Sequence, residues 1–293
     1  MKSLTVFTPT FNRADLLSRL YESLCRQTSK DFLWLVVDDG STDGTKELVE
    51  KWKNENRIEI KYVYKENGGM HTGHNTAYSM IKTELNVCID SDDWMPDDAV
   101  ENILKKWNSI TDKTKIAGII GLDADESGKI IGTKIPSELK MGSHYNLYKN
   151  YGVKGDKKLI LRTDIVRKYP HYPEYSNEKL VPLGILYLII GRDYDYIYSN
   201  EIYCIVEYQQ DGSSNTIFRQ YLKSPKGFAY ARNIQKEISF SVKDDIKNSI
   251  HLGVSAIAAG DLKILNSRPK RFLNFLFFPA AVLLYLYILL RTK

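Results

Sequence analysis

The chain predicts an α/β fold built on a mostly parallel sheet with helices on both faces. Four apolar runs alternate with segments of helical period over residues 1–125. A polar cluster follows each of those runs: TPTFNR, DDGSTDGT, ENGG and DSDD. At 293 residues, with 43% hydrophobic and 26% charged content, the chain is long enough and ordinary enough to bury a proper core.

Residues 4–8 (LTVFT) read as a buried strand, and RADLLSRLYESLC as a helix with Leu16, Leu17, Leu20 and Leu24 on one face. FLWLVV (32–37) is the second strand. The helix TDGTKELVEKW turns Leu48, Val49 and Trp52 inward and offers Ser41 or Thr42 as N-cap. IEIKYVY, HTGHNTAYSMI and LNVCI repeat the scheme. PDDAVENILKKW closes it, with Pro96 and two acids in its first turn and Val100, Ile103, Leu104 and Trp107 at helical spacing. Such alternation implies right-handed βαβ units, whose ligands bind beyond the C-terminal strand ends. The four polar clusters converge on that rim.

From about 126 to 262 the pattern is irregular. A hairpin is expected around DESGKIIG and a strand at KKLILR, with Tyr-rich loops between, in a mixed α+β half. The expected organisation is 1–125 as the alternating half that carries the rim, 126–265 as the irregular half, and 266–293 as a basic, hydrophobic tail.

The net charge of +5 is unevenly placed: six Lys or Arg and no acid stand from Lys263 onward, and residues 1–262 sum to −1. A nucleic-acid binder carries its basic stripe on the folded body, so no nucleic-acid partner is expected. Cys25, Cys88 and Cys204 are odd in number and form no CxxC pair, which argues against a disulfide framework or a zinc site. No signal peptide is read at the start. No G-x-G-x-x-G fingerprint follows the first strand, so a dinucleotide site is a weak reading.

Two motifs carry chemistry. Asp39, Ser41, Asp43, Gly44 and Glu50 match EF-hand spacing, but FLWLVV before them lacks helical period and Lys46 stands where such a loop carries an apolar residue. The bland alternative, a turn and helix cap, leaves the two opening acids unexplained. CIDSDDWMPDD then crowds five carboxylates onto one strand end, where they must take up protons or find a cation. Asp90 and Asp92 point the same way if the strand conformation persists, a hard-oxygen pair suited to Mg²⁺ or Mn²⁺ with phosphate oxygens completing the shell.

TPTFNRADLLSRLYESLCRQT, VVDDGSTDGT, NGGMHTGHN and DSDDWMPDD, in this order and spacing, resemble the family 2 glycosyltransferases with the Rossmann-like GT-A fold. SNEKLVP and EYQQDGSS resemble the bacterial surface-polysaccharide members. The resemblance implies an inverting, metal-dependent glycosyltransferase with a nucleotide-diphosphate sugar donor, a UDP-sugar in the leading case, and a saccharide or lipid-linked saccharide acceptor. It implies Thr8, Pro9 and Asn12 along the nucleoside pocket and Asp39 accepting from the base, with Asn75 in the donor site. Asp92 would hold the metal, with Asp90 near ribose or metal. Where many members have Arg before that Asn, this chain has His74, a weaker phosphate partner.

Inversion in one displacement needs a carboxylate to take the acceptor proton. Glu178 in SNEKLVP is the candidate by motif position, with Glu174, Asp193 and Asp195 as alternatives. YQQDGSS is expected to close over the diphosphate. The rival classes are a sugar-nucleotide-binding protein with catalysis lost and a nucleotidyltransferase on a similar sheet. The latter would carry a Gly- and Arg/Lys-rich loop where this chain has TPTFNR. Finally, Phe272 to Leu290 holds no charge and is flanked by Arg268, Lys270, Arg271, Arg291 and Lys293. Basic flanks on both sides and Pro279 inside predict membrane association at the cytoplasmic face, in-plane or re-entrant ahead of spanning.

Overall fold

The computed structural model describes residues 2–207, 217–239 and 241–292, so the YQQDGSS segment lies outside the described residues. Two compact units form: Met1–Pro170 with Ile190–Tyr208, and His171–Ile189 with Gln209–Lys293.

In the first unit the elements run β1 (Leu4–Thr10), α1 (Ala14–Arg26), β2 (Phe32–Asp38), α2 (Thr45–Glu55), β3 (Ile60–Tyr64), α3 (Met70–Met80), β4 (Leu85–Cys88) and α4 (Ala99–Asn108). Then follow β5 (Ile116–Ala124), β6 (Met141–Gly142), α5 (His144–Lys149), β7 (Lys157–Arg162) and α6 (Thr163–Val166). After α7 (Gly184–Ile190), β8 (Asp195–Ile205) returns to the same sheet. The strand order is β3-β2-β1-β4-β7-β5-β8-β6. β1 pairs in parallel with β2 and β4, and β2 with β3. β7 is inserted antiparallel between β4 and β5, and β5 pairs in parallel with β8.

All seven residues of β1 are buried, as expected of a strand covered on both faces. On one side Tyr21 of α1 stacks on Trp52 of α2 at 4.4 Å, with Trp34 of β2 alongside. Leu17, Leu20, Leu24, Val49, Val100, Ile103 and Trp107 join that core, as their spacing predicted, whereas Leu16 stays half-buried. Gly121 on β5 lies under the Tyr203 ring, where a Cβ would come within 2.2 Å of Cδ2.

Two local expectations need correction. α2 is capped by neither Ser41 nor Thr42. Gly44 holds the N-cap with φ 86°, and the Asp43 carboxylate takes the Thr45 N–H. Ser41 Oγ instead accepts from Asn12 N at 2.9 Å, because the loop bends toward the end of β1. Similarly, α4 begins only at Ala99, so Pro96, Asp97 and Asp98 precede its first turn. The Asp97 carbonyl is taken by Thr28 N and its carboxylate by Arg26.

The second unit contains α8 (Ile217–Lys223), α9 (Pro225–Ile238), α10 (Val242–Ala258), a 3-10 turn (Leu262–Asn266), α11 (Arg271–Leu276) and α12 (Phe278–Arg291). Its core gathers Tyr221, Phe228, Val254, Ala281 and Ile288. Gly253 of α10 faces Ala281 so closely that a Cβ there would lie 2.5 Å from the alanine methyl. The tail breaks at Phe277, with Pro279 in the first turn of α12, where proline's missing N–H costs nothing. No helix among the described residues is long and apolar enough to cross a membrane.

Candidate active site

The candidate site is built on the C-terminal ends of β1, β2, β3 and β4. At the end of β1, Asn12 adopts φ 50° and its side-chain oxygen accepts from Thr42 N at 2.8 Å. Ala14 N donates to Asp43 at 3.0 Å. The first two rim loops are thereby stitched together. Thr8 is buried and its hydroxyl takes the Trp34 indole N–H at 3.0 Å, so that side chain is spent in the core. Pro9 is buried beneath α3, which approaches at Gly73: a Cβ there would lie 3.1 Å from the proline ring.

The two acids that open the second loop are cradles. Asp38 accepts from Ser41 N (2.7 Å) and the Tyr62 hydroxyl (2.6 Å). Asp39, also buried, takes Lys65 Nζ (2.6 Å), Gly68 N (2.9 Å), Gly69 N (2.7 Å) and Asn67 Nδ2 (3.2 Å). It thus pins the third loop and the start of α3 to the second. Gly40 is required beside it, at φ 91°, since a Cβ would meet Asn67 N at 2.8 Å.

His71, His74 and Asn75 are all buried on α3. The His74 ring packs edge-on to Phe7, with Nδ1 3.2 Å from the Tyr78 hydroxyl and Nε2 3.6 Å from Cys88 Sγ. Burial pushes its pKa down to about 4, so at neutral pH it carries no charge to offer a phosphate. Position 74 is a neutral core histidine behind the rim.

β4 ends at Cys88, and residues 91–92 form a turn, closed by the Asp93 N–H donating to the Asp90 carbonyl. The extended conformation assumed through Asp92 therefore does not persist, and Asp90 and Asp92 reach the rim from a turn. Asp92 pairs with Arg13 at 3.0 Å, and Arg13 also donates to Ser91 Oγ. Asp90 receives the Cys88 thiol at 3.7 Å. Asp93 turns inward instead, accepting from Glu207 N, and burial pushes its carboxyl up to about 7. Arg19 braces the turn, donating to the Asp92 carbonyl, pairing with Glu207 and Glu126, and lying 4.0 Å over the Trp94 ring.

Lys158 was missed from the sequence. It stands on β7 opposite Gly121, among Asp90, Asp93, Asp123 and Cys204. Burial works against its charge, but Cys204 and those three acids outweigh it and hold the ammonium well up. A lysine inside the apolar run KKLILR was the available signal, because a cation is left within a strand only where acids meet it. Arg13, in TPTFNR, likewise had no role legible in the sequence.

Glu178 belongs to the second unit, where its carboxylate takes the Lys226 and Gly227 N–H groups (3.1 and 3.0 Å) at the start of α9. Glu174 is exposed in the same unit. Asp193 and Asp195 stand at the N-terminal end of β8, which runs parallel to β5, and so lie at the sheet end away from the rim. That removes both from the list of bases. Among the described residues no three His, Cys, Asp or Glu side chains converge on one point.

Sheet order and rim define a GT-A fold. TarS residues 1–349 of S. aureus, solved with UDP-GlcNAc, superpose with a TM-score of 0.62 at 18% identity, over 88% of this chain and 81% of that one. The mannosyltransferase PcManGT of Pyrobaculum calidifontis, solved with GDP-Man and Mn²⁺, gives 0.59 at 19% identity, over 97% and 87%. The chain belongs to glycosyl transferase family 2, whose model matches residues 5–153. Glycosyltransferase GlyA of Streptococcus pneumoniae is 34% identical over 103 residues, 35% of this chain and 15% of that protein. Chondroitin synthase of Pasteurella multocida is 34% identical over 111 residues, 38% and 11% respectively. The poly(ribitol-phosphate) β-N-acetylglucosaminyltransferase TarP of Staphylococcus aureus is 33% identical over 107 residues, 35% and 32%. The chain thus spans less than a third of the length of these curated relatives.

Proposed function

We propose that this chain transfers a sugar, with inversion, from a UDP-sugar to a lipid-linked saccharide in the assembly of a cell-surface polysaccharide, using Mn²⁺ or Mg²⁺. The observation that carries the reading is the Asp90–Asp92 turn at the end of β4, on the same rim of the sheet as the loop that Asp39 holds in place. The donor set fits such an ion. Asp90 is half-buried, among the described residues its carboxylate takes only the Cys88 thiol as a hydrogen-bond donor, and the Arg13 guanidinium faces Asp92. Two carboxylates with oxygens to spare suit a cation that also takes phosphate oxygens. When bound, it would neutralise charge that gathers on the diphosphate. A solved relative in fold with GDP-Man and Mn²⁺, and another with UDP-GlcNAc, support the donor class.

In the proposed reaction the acceptor hydroxyl oxygen attacks the anomeric carbon as the bond to the diphosphate oxygen breaks. The leaving diphosphate takes the electron pair, and the hydroxyl proton passes to the Glu178 carboxylate. Two main-chain N–H groups fix the orientation of that carboxylate and leave lone pairs for the proton. Asn12, Pro9, Asn75 and the backbone at Thr8 would frame the nucleoside, and Arg13 would release Asp92 toward the cation.

The test is donor hydrolysis and transfer over a panel of UDP-, GDP- and dTDP-sugars, with Mn²⁺ and with chelator. Metal-dependent turnover of a UDP-sugar is expected. Binding without turnover of any donor would make the chain a sugar-nucleotide binder, and full turnover in chelator would sink the metal assignment.

A further inference from the structure

α12 is apolar on every side, and the structure uses only one of those sides. Ala281 and Ile288 are buried, with Leu284 and Tyr285 packed beside them. On the opposite side Val282, Leu283, Leu286, Tyr287 and Leu290 are exposed, with Leu283 at 69% and Leu290 at 73%. Those positions follow i, i+1, i+4, i+5 and i+8, which is a single helical stripe. α11 extends the same spacing backward through Phe272, Phe275 and Leu276, while its other side buries Asn274 against Lys236 and the Leu265 carbonyl. Phe218 of α8 is exposed as well and meets Tyr287 edge-on at 6.3 Å. An exposed apolar surface of this continuity marks an interaction site.

Charge says what covers it. Arg291 Nε donates to the Tyr287 hydroxyl at 3.1 Å, which sets a cation at one end of the stripe and on its own side. Arg268 and Arg271 are exposed at the other end, and Arg219 and Lys223 are exposed on α8. No acid occurs after Asp261. A second copy docked by a two-fold axis would set stripe on stripe and bring these cations against each other with no carboxylate between them. An anionic lipid surface instead accepts the apolar side chains among its acyl chains and the cations at its head groups. α12 has 14 residues, about 21 Å of helix, too short for a hydrocarbon core of about 30 Å.

The geometry points to α11 and α12, with the start of α8, as an in-plane docking surface for an anionic bilayer: the stripe Phe272, Phe275, Leu276, Leu283, Leu286 and Leu290 enters the acyl boundary and the arginines hold the head groups. Nothing in this depends on which donor the first unit uses. The full chain is floated with phosphatidylcholine vesicles and with vesicles that also contain phosphatidylglycerol. It should float with the anionic vesicles, at least about tenfold more weakly on phosphatidylcholine alone, and should be released by high salt. The double variant Leu283→Glu/Leu286→Glu should stay at the bottom with unchanged circular-dichroism melting. Should that variant fold poorly, Leu290→Trp in the otherwise native chain reads the same contact, since brominated acyl chains should quench its added fluorescence. Three results would overturn the proposal: a full chain that never floats, a Leu290→Trp signal untouched by brominated lipid, or light scattering showing a dimer that the glutamates dissociate.

Discussion

Replacing Asp39 with asparagine tests whether the rim is held by one buried carboxylate. Both oxygens are engaged, Oδ1 with Lys65 and Gly68 N, Oδ2 with Gly69 N and Asn67. An amide placed there keeps one oxygen for the first pair but turns its own N–H₂ toward the second, leaving two donors facing a donor. Lys65 also loses its counter-charge, though it keeps the Glu66 carbonyl and Thr72 hydroxyl. Two broken charge-assisted bonds in a buried position should cost about 3 kcal/mol. For a unit of this size that is a fall in melting temperature of roughly 6–12 °C. All four tryptophans (Trp34, Trp52, Trp94 and Trp107) lie in the first unit, so urea unfolding followed by tryptophan fluorescence reads that unit alone. The midpoint should fall at unchanged m-value, while Asp15→Asn on the exposed face of α1 should shift stability by less than about 0.5 kcal/mol. An Asp39→Asn loss below about 1 kcal/mol would refute the cradle as the element that holds the third loop.

Three further outcomes follow from the same structure. Asp92→Asn should abolish metal-dependent donor binding and transfer while costing at most about 1 kcal/mol of stability, because its partner Arg13 is partly exposed; isothermal titration with Mn²⁺ and a donor, beside a melting curve, checks both halves. Glu178→Gln should lower kcat by orders of magnitude with donor affinity kept if the carboxylate is the base, whereas a pure helix cap would lose stability with kcat preserved. For His74 the folded pKa, about 4, lies below the unfolded value, so the unfolded chain binds the extra proton and stability falls as pH drops from about 7 toward 4. By pH 5 about 2 kcal/mol should be lost through this group, and His74→Phe should flatten that part of a urea-midpoint profile; an unchanged slope would show that the ring is not held neutral.

What the sequence determined by itself was local. Apolar runs and helical spacing are written in consecutive residues, so β1 through α4, most of their inward side chains and the four clusters at the strand ends could be read off. The break of the tail just ahead of Pro279 was legible for the same reason, since proline acts on its own backbone. Tertiary structure decided everything that depends on a partner far along the chain. Asp39 finds its donors 26 to 30 residues away, and the Thr8 hydroxyl accepts the Trp34 indole N–H in the core. Asp90 and Asp92 leave β4 on a turn, immediately before the Trp94–Ile205 bridge to β8. Burial above all makes His74 neutral, while Cys204 and acids from two other segments keep Lys158 charged. In α12, composition announced a helix apolar all round, but only packing against α10 selected which side is buried and which stripe is left exposed. Periodicity is a property of neighbours in sequence, and charge state, hydrogen-bond partner and exposed side are properties of neighbours in space.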